Sequence, residues 1–276
     1  MSTFKTSAEI MQTVCTIGGN KPKVALLPAI ILAFLAGAYI GFGSLLAHIA
    51  SAKMDPAIWG NLTRLVFAGV FPLGLLCVVV AGADLFTGNC MYGPAAVMHK
   101  TTNLGGMLKN WFISYFGNLV GSIFIAYFLG HLTGLFLGTG PAGAPGAGAV
   151  VGLANMKCAM AFDVAFWRGV GCNWLVCLAI YLSLSSGDGV SKAVMIWPPI
   201  AGFVAIGFEH SVANMTFIPL GIFVGSAANY AGAVPLTASW GGLVNNLIPV
   251  TLGNIVGGAL FVAMFYYKAN NLKPAE

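Results

Sequence analysis

Long apolar runs dominate this chain, and polar residues interrupt them at only a few places. A helix needs roughly 20 mostly apolar residues to cross a bilayer, and six runs reach that length. They cover residues 25–50, 65–98, 106–136, 163–186, 192–225 and 246–267. The pattern predicts an all-α membrane protein with six transmembrane helices.

The second and fifth runs are too long for one plain helix, and each contains a polar interruption. In the second run it is Asp84–Asn89, and in the fifth it is Glu209–Ser211. Polar backbone at membrane depth is tolerated only where it lines a cavity or is buried in protein. We therefore predict that transmembrane helices 2 and 5 are broken.

An internal repeat relates the two halves of the chain. Gly117–Gly121 (GNLVG) in the third run matches Gly253–Gly257 (GNIVG) in the sixth, and Asn110 and Asn246 precede them at the same distance. Each half has three spans, so the two halves must cross the membrane in opposite directions. Inverted repeats with a discontinuous helix in each half place a solute path at their interface, near the midplane.

We expect a single domain that runs over the whole chain. Within it we predict an amphipathic N-terminal segment (1–24), a first half (25–136), an outer loop (137–162), a second half (163–267) and a tail (268–276). Ile10, Met11 and Val14 recur at helical spacing, which predicts a short helix lying along the membrane surface. The Gly/Ala/Pro-rich stretch Gly138–Gly152 reads as a flexible loop or cap.

Charge and cysteine usage narrow the picture further. Only 7% of residues are charged, against about a quarter in a soluble domain, which indicates a protein largely surrounded by lipid. The basic residues flank the spans instead of forming one stripe, so nucleic-acid binding is not indicated. If both termini are cytoplasmic, eight Lys or Arg residues lie inside and four outside, which favours that orientation in a cell membrane. The six cysteines contain no CxxC pair, so we expect no disulfide, metal site or cofactor.

The clearest candidate for chemistry is His210, which lies between two apolar stretches within the fifth span. Ionisable residues at membrane depth are costly and usually face a pathway, and an imidazole can hold or pass a proton near neutral pH. The alternative is a neutral histidine that binds a backbone carbonyl and fastens the helix break. The base rate for ionisable residues inside membranes favours the first interpretation.

Several other polar residues near the breaks have two interpretations. Thr87 can bond His210 or the solute, or it can join Asn89 in capping free backbone groups. Asp84 and Glu209 can form a proton relay, but capping the half-helix that follows is the commoner use of acids there.

Further candidates are ambiguous from spacing alone. Lys157 can attract anions or can be an ordinary interfacial lysine. Asparagines in apolar helices more often join helices than bind solute, which applies to Asn118, Asn173, Asn214 and Asn254. Bulky apolar residues beside the breaks can form constrictions but are more often packing residues; they are Phe71, Leu75, Phe86, Val176 and Phe203.

Four motifs together resemble the formate/nitrite transporter family over nearly the whole chain. They are Gly82–Asn89 (GADLFTGN), Asn173–Ala179 (NWLVCLA), Gly207–Met215 (GFEHSVANM) and Asn246–Gly258 (NLIPVTLGNIVGG). The details around the first two motifs are most similar to formate transporters that accompany formate dehydrogenases.

The resemblance implies an aquaporin-like protomer in a homopentamer, with one pore per protomer. It implies that His210 is the central pore histidine with Thr87 as its partner, and that Lys157 and Asn173 attract and orient the anion. It also assigns Leu75 and Phe203 to one constriction. Phe71, Phe86 and Val176 match positions in or near the other constriction.

From these observations we expect a formate channel or transporter, not an enzyme, and no catalytic residue. The proposed mechanism draws the anion towards Lys157 and passes it with a proton at His210. Nitrite and hydrosulfide are rival substrates in the same class. A membrane anchor for haem or quinone, or a water or glycerol channel, is a rival of another class.

Overall fold

The computed structural model describes residues 4–138 and 140–275, in which the regular elements are helical. In chain order the α-helices are α1 (Ser7–Asn20), α2 (Leu26–Ser51), α3 (Pro56–Trp59), α4 (Asn61–Val70), α5 (Leu73–Ala81), α6 (Phe86–Met98), α7 (Leu104–Phe124), α8 (Gly143–Cys158), α9 (Phe162–Ser183), α10 (Gly189–Ile206), α11 (Ser211–Gly225), α12 (Trp240–Val256) and α13 (Phe265–Ala269). A 3₁₀ turn (Lys21–Lys23) precedes α2, and π-helical turns extend α7 (Ile125–His131) and join α12 to α13 (Gly257–Met264).

Six helical stretches of the described chain are long and apolar enough to cross a membrane. They are Leu26–Ser51, Asn61–Ala81, Leu104–His131, Phe162–Ser183, Gly189–Ile206 and Trp240–Ala269. Each begins close to the position that hydropathy predicts. The prediction of six transmembrane helices is therefore confirmed.

Both predicted helix breaks are present. α5 ends at Gly82 (φ +78°) and α10 ends at Gly207 (φ +87°), and in each half the next helix begins four residues later. Glycine adopts this left-handed conformation without a steric penalty, so it lets each chain turn sharply inside the membrane. The second span has a further bend at Phe71 and Pro72, between α4 and α5, because proline has no N–H to continue the helix.

The two halves use the same contacts to hold their breaks. Asn118 Nδ2 donates to the carbonyls of Ala33 and Asp84, at 2.8 and 3.0 Å. In the second half, Asn254 Nδ2 donates to the carbonyls of Gly169 and Glu209, also at 2.8 and 3.0 Å. Asn118 and Ala33 each lie 136 positions before their counterparts, Asn254 and Gly169. Residues that the sequence repeat matches therefore make the same contacts in the structure.

Helices of each half approach closely at matched glycines. A Cβ on Gly117 would overlap Ala33 of α2, and a Cβ on Gly121 would overlap the carbonyl oxygen of Phe34 in the same helix. A Cβ on Gly253 or Gly257 would overlap backbone oxygens of α9 in the same way. Small residues that let backbones approach are the usual means of packing helices in a bilayer.

The stretch Gly138–Gly152, expected to be a flexible loop or cap within the outer segment 137–162, is helical from residue 143 onwards and so is not a flexible loop there. Residues Gly143–Cys158 form α8, and Thr139 lies outside the described residues. The small side chains allow α8 to pack tightly: Ala154 contacts Gly221 of α11, and Gly146 approaches Ala52. Pro145 lies in the first turn, where a missing N–H leaves no helical bond unmade. The small residues of this stretch therefore serve close helix packing instead of flexibility.

The N-terminal segment is helical as predicted, but its apolar face does not lie on lipid. α1 starts with a capping box formed by Thr6 and Glu9. Met11 and Cys15 are fully buried, and the Cys15 thiol donates to the carbonyl of Ala95 in α6. The amphipathic pattern therefore reflects packing against the second half of the broken second span.

Both termini lie on one face of the protein. Asn270, just after α13, donates to Ser7 Oγ, and the N–H of Ala275 donates to the carbonyl of His99 at the end of α6. We call this side the terminal face. α2 crosses from it to the opposite face, where the helix ends at Ser51.

Candidate functional site

A cavity of about 570 Å³ lies on the face opposite the termini, and we call it the vestibule. Its lining includes the exposed Gly60 and Asn61 and the buried Phe71, Phe203 and His210. The ion pair described below also borders it. The vestibule thus joins the outer surface to the region where the two broken helices meet.

His210 occupies the extended residue before α11 and is 3% exposed. Its Nδ1 accepts the N–H of Ala213 at 3.0 Å, and its Nε2 lies 2.8 Å from Thr87 Oγ1. A ring nitrogen that accepts an N–H carries no proton, so the neutral imidazole is protonated at Nε2 and donates to Thr87. The Thr87 hydroxyl hydrogen is then available for a third group.

His210 has a structural contact and also lies where the functional interpretation requires it, while its role with a proton remains a prediction. It fastens the helix break, although through a backbone N–H instead of the carbonyl that we expected. It also borders the vestibule and contacts Thr87 from the opposing half. Thr87 does not cap its helix with its hydroxyl, and the Asn89 amide donates to the Asp84 carboxylate at 3.0 Å.

Asp84 and Glu209 do not cap the following half-helices with their carboxylates, so that prediction is wrong. The N–H of Phe86 donates to Asn118 Oδ1 at 2.8 Å, and the N–H of Ser211 donates to Asn254 Oδ1 at 2.9 Å. Neutral amides from the third and sixth spans do the capping. The acids are left to bind cations and side-chain amides.

Glu209 and Lys157 form a buried ion pair. Lys157 Nζ lies 2.8 and 2.9 Å from the two carboxylate oxygens, and the two side chains are 6% and 3% exposed. The ammonium also lies 5.5 Å from the centre of the Phe217 ring. Asn214 Nδ2 donates to the same carboxylate at 2.7 Å. Lys157 borders the vestibule with its charge balanced, so it is not an ordinary interfacial lysine.

The first half contains the counterpart of this pair. Lys21 donates to Asp84, which also accepts from Asn89 and Asn110. Lys21 and Asp84 border a second, smaller cavity of about 280 Å³. Lys21 lies 136 positions before Lys157, the same separation as between the matched asparagines. The repeat is the signal that would have identified Lys21, which the sequence analysis did not select.

Asn173 does not contact Lys157, so the structure does not bring that predicted pair together. Its amide nitrogen donates to the carbonyls of Thr87 and Asn254, at 3.0 and 2.6 Å. Asn173 therefore links the two breaks and holds the backbone of Thr87. Asn214 similarly donates to Asn246, whose own amide donates to the carbonyl of Lys157.

The predicted constriction residues are all buried, but their grouping differs. Phe71 packs edge-on against Phe203, with ring centres 6.0 Å apart, and Phe203 lies 5.9 Å from the His210 ring. These two phenylalanines border the vestibule, whereas Phe86 packs against Trp111 and Tyr115. Phe71 thus belongs with Phe203, not with Phe86. That Leu75, Phe86 and Val176 narrow a pore remains a prediction.

This geometry has the parts that a solute path requires. Two helices stop inside the membrane, a buried imidazole and hydroxyl join them, and the rings of Phe71 and Phe203 border the vestibule beside that pair. The profile described as "Formate/nitrite transporter" matches residues 8–268. The chain belongs to the formate/nitrite transporter family. Membership in this transporter family gives no support to an enzyme or a redox anchor.

Members of the formate/nitrite transporter family resemble the chain along almost its whole length. A protein of Methanothermobacter thermautotrophicus named "Probable formate transporter" is 46% identical, covering 96% of this chain and 97% of its own. A solved structure titled "FNT family ion channel" matches with a TM-score of 0.83 at 31% identity, covering 95% of this chain and 98% of that one. Another, titled "Pentameric formate channel with formate bound", matches with a TM-score of 0.76 at 30% identity, covering 90% and 98%. These matches agree with the predicted fold of six spans with two broken helices.

Proposed function

We propose that the chain conducts formate across a membrane and that a proton accompanies the anion. The hydrogen bond between His210 and Thr87 supports this proposal most directly, because it joins the two helix breaks beside a cavity that opens to one face. The relative named as a probable formate transporter and the solved channel titled with bound formate support formate as the substrate.

The hydroxyl of Thr87 is the group that meets the anion in this mechanism. Its oxygen accepts from His210, so its hydrogen can be donated to a formate oxygen. The half-helices α6 and α11 both begin at this level, and the positive ends of their dipoles favour a negative charge there. His210 thus orients a donor towards the carboxylate and polarises it.

A proton is required because the rings of Phe71 and Phe203 offer a carboxylate no hydrogen bonds. Transferring a bare carboxylate into such a slit costs many kcal/mol in lost hydration. Formic acid is neutral and avoids most of that cost. Arg64 and Arg168 border the vestibule and favour the anion there, since the charge of Lys157 is balanced by Glu209. Formate takes up a proton from the water of the vestibule beside His210 and Thr87, and the neutral acid then passes the rings.

Flux assays in proteoliposomes test the proposal. Formate entry should accelerate as the external pH falls, and an internal pH dye should report one proton entering with each formate. Replacing His210 by Phe removes the donor to Thr87 and should abolish this pH dependence. His131→Phe is a matched control, because His131 stacks on Tyr127 and does not border the vestibule. Unchanged pH dependence in His210→Phe would refute the proton role.

Nitrite is the second candidate substrate, because the matching family profile is described by both anions. Hydrosulfide remains a further rival of similar size and charge. Competition of each anion against radiolabelled formate in the same vesicles would rank them. A water or glycerol channel would instead show osmotic swelling that does not depend on the anion.

We also propose a homopentamer with one pore per protomer and both termini in the cytoplasm. The solved channel titled as pentameric supports the assembly. The distribution of Lys and Arg supports the orientation, since eight lie on the terminal side of the spans and four on the other. Native mass spectrometry would test the first, and protease access to the tail in sealed vesicles would test the second.

A further inference from the structure

We propose that the vestibule contains a second anion-binding position, formed by His48, Thr63 and Arg64 on the outer side of the Phe71 and Phe203 rings. This site rests on the proposed function, because it takes the same small monovalent anion. It would hold the anion before it reaches His210 and would set the concentration at which transport saturates.

His48 is the main observation behind this site. It lies near the end of α2, is 4% exposed and borders the vestibule. Three aromatic rings meet its imidazole edge-on: Phe67 at 5.2 Å, Phe217 at 5.4 Å and Phe136 at 6.0 Å between ring centres. Its Nε2 is buried and has no hydrogen-bond partner in the described protein. A buried polar atom of this kind is costly unless a guest molecule binds it.

Thr63 supplies a second unpartnered polar atom to the same cavity. Its Oγ1 is buried without a hydrogen-bond partner among the described residues, and the residue borders the vestibule. Thr63 lies one helical turn before Phe67, the residue that packs on His48, so both belong to the cavity face of α4. A guest molecule in this cavity can accept a hydrogen bond from each of these two donors.

The charges around the vestibule favour an anion as that guest. Arg64, Lys157 and Arg168 border it, and Glu209 is the one carboxylate among the described lining residues. Glu209 is already bound by Lys157 and Asn214, whereas the two arginines have no salt bridge within the described chain. The Arg64 guanidinium lies against Gly207 at the helix break, and both residues border the cavity. A cleft lined mainly by one sign of charge concentrates the opposite ion.

The site is separate from the pair of His210 and Thr87. His48 contacts Phe67 and Phe217, whereas His210 contacts Phe203, and Phe71 packs between Phe203 and Phe217. Both histidines border the same cavity, but the rings of Phe217, Phe71 and Phe203 follow one another between His48 and His210. In the Nε2–H tautomer, His48 donates one hydrogen bond to the anion, and Thr63 donates another.

Sided transport measurements test this site. His48→Phe keeps an aromatic ring among Phe67, Phe136 and Phe217 but removes the donor. We expect the half-saturating formate concentration to rise about tenfold for uptake from the vestibule face. This factor corresponds to about 1.4 kcal/mol, the scale of one hydrogen bond to an anion. For uptake from the terminal face, the change should stay below about twofold, since the anion first meets the other end of the path.

Two further variants keep the test decisive. Thr63→Val should raise the same concentration in the same direction, and it carries the test if His48→Phe does not assemble. His131→Phe is the control, because His131 also has an unpartnered buried nitrogen but does not border the vestibule. An unchanged concentration in both His48→Phe and Thr63→Val, or an equal rise from both faces, would overturn the proposal.

The result can be separated from the outcome for the proposed function. If the wild type carries nitrite or hydrosulfide better than formate, the substrate proposal fails, and the same sided comparison is made with that anion. If His210→Phe keeps its pH dependence, the proton role fails, while the effect of His48→Phe on half-saturation still decides the vestibule site.

Discussion

The two equivalent ion pairs predict different responses to the loss of their lysines. We consider Lys157→Met and Lys21→Met, which keep most of each side chain's length and remove its charge. In the first variant Glu209 remains as a buried carboxylate, and in the second Asp84 remains. Because the repeat gives both pairs the same surroundings in outline, each variant serves as a control for the other.

The expected magnitudes follow from burial and from the hydrogen bonds that remain. The side chains of Lys157 and Glu209 are 6% and 3% exposed, and Glu209 keeps one amide donor, Asn214. Breaking a buried pair costs about 3–5 kcal/mol because the remaining charge is unpaired. Lys21 and Asp84 are 19% and 10% exposed, and Asp84 keeps two amide donors. We expect Lys157→Met to cost about 3 kcal/mol, and Lys21→Met about 1 kcal/mol.

Unfolding of the full chain in detergent, followed by the fluorescence of its six tryptophans, measures these losses. Adding Glu209→Gln to Lys157→Met should recover most of the stability, since a neutral amide replaces the unpaired charge. Equal losses in the two single variants would refute the reasoning from burial. A double variant no more stable than Lys157→Met would show that the carboxylate is not the source of the cost.

Two further predictions concern packing and the pore. Gly121→Ala should destabilise the fold by about 1–3 kcal/mol and lower its melting temperature, because the added methyl group would overlap the carbonyl of Phe34. Gly202→Ala is the control and should not lower the melting temperature, because the space around Gly202 is open. Thr87→Val should lower formate flux about tenfold, because a lost hydrogen bond of roughly 1.4 kcal/mol corresponds to that factor, and Thr87→Ser should restore it. Equal melting temperatures for the glycine variants, or wild-type flux in Thr87→Val, would contradict these predictions.

The helix breaks could be predicted from sequence because lipid penalises unsatisfied backbone so strongly. A stretch such as Asp84–Asn89 within an apolar run has few structural solutions. The repeat of GNLVG and GNIVG then related the two breaks. The breaks themselves are related by a shift of 125 positions instead of 136, which pairs Gly82 with Gly207 and Pro94 of α6 with Pro219 of α11. Local sequence patterns were therefore sufficient to predict the spans and their breaks.

The partners of the buried polar groups could not be predicted in the same way. Asp84 is bound by Lys21, which lies 63 residues earlier, and the helix after it is capped by Asn118. A rule based on neighbouring residues assigns the cap of α6 to the nearest acid, Asp84. In the folded protein the amide of Asn118, which is distant in sequence, caps that helix instead. α8 was missed for a related reason, because small residues that mark loops in soluble proteins allow close helix packing here.

Comparing the two halves separates residues that the breaks require from residues that a solute requires. Each half has a lysine, an acid and asparagines in matching positions, and in each half these groups satisfy the charges and backbone atoms freed by the break. The repeat does not extend to the two side chains that meet between the breaks, His210 and Thr87. The position equivalent to His210 is Leu85, and the position equivalent to Thr87 is Val212. The hydrogen bond between His210 and Thr87 is therefore not one of the contacts that the two breaks share, although His210 also caps α11 through its Nδ1. The absence of this pair's counterpart in the repeat agrees with our proposal that it serves the solute, which the flux of His210→Phe and Thr87→Val tests.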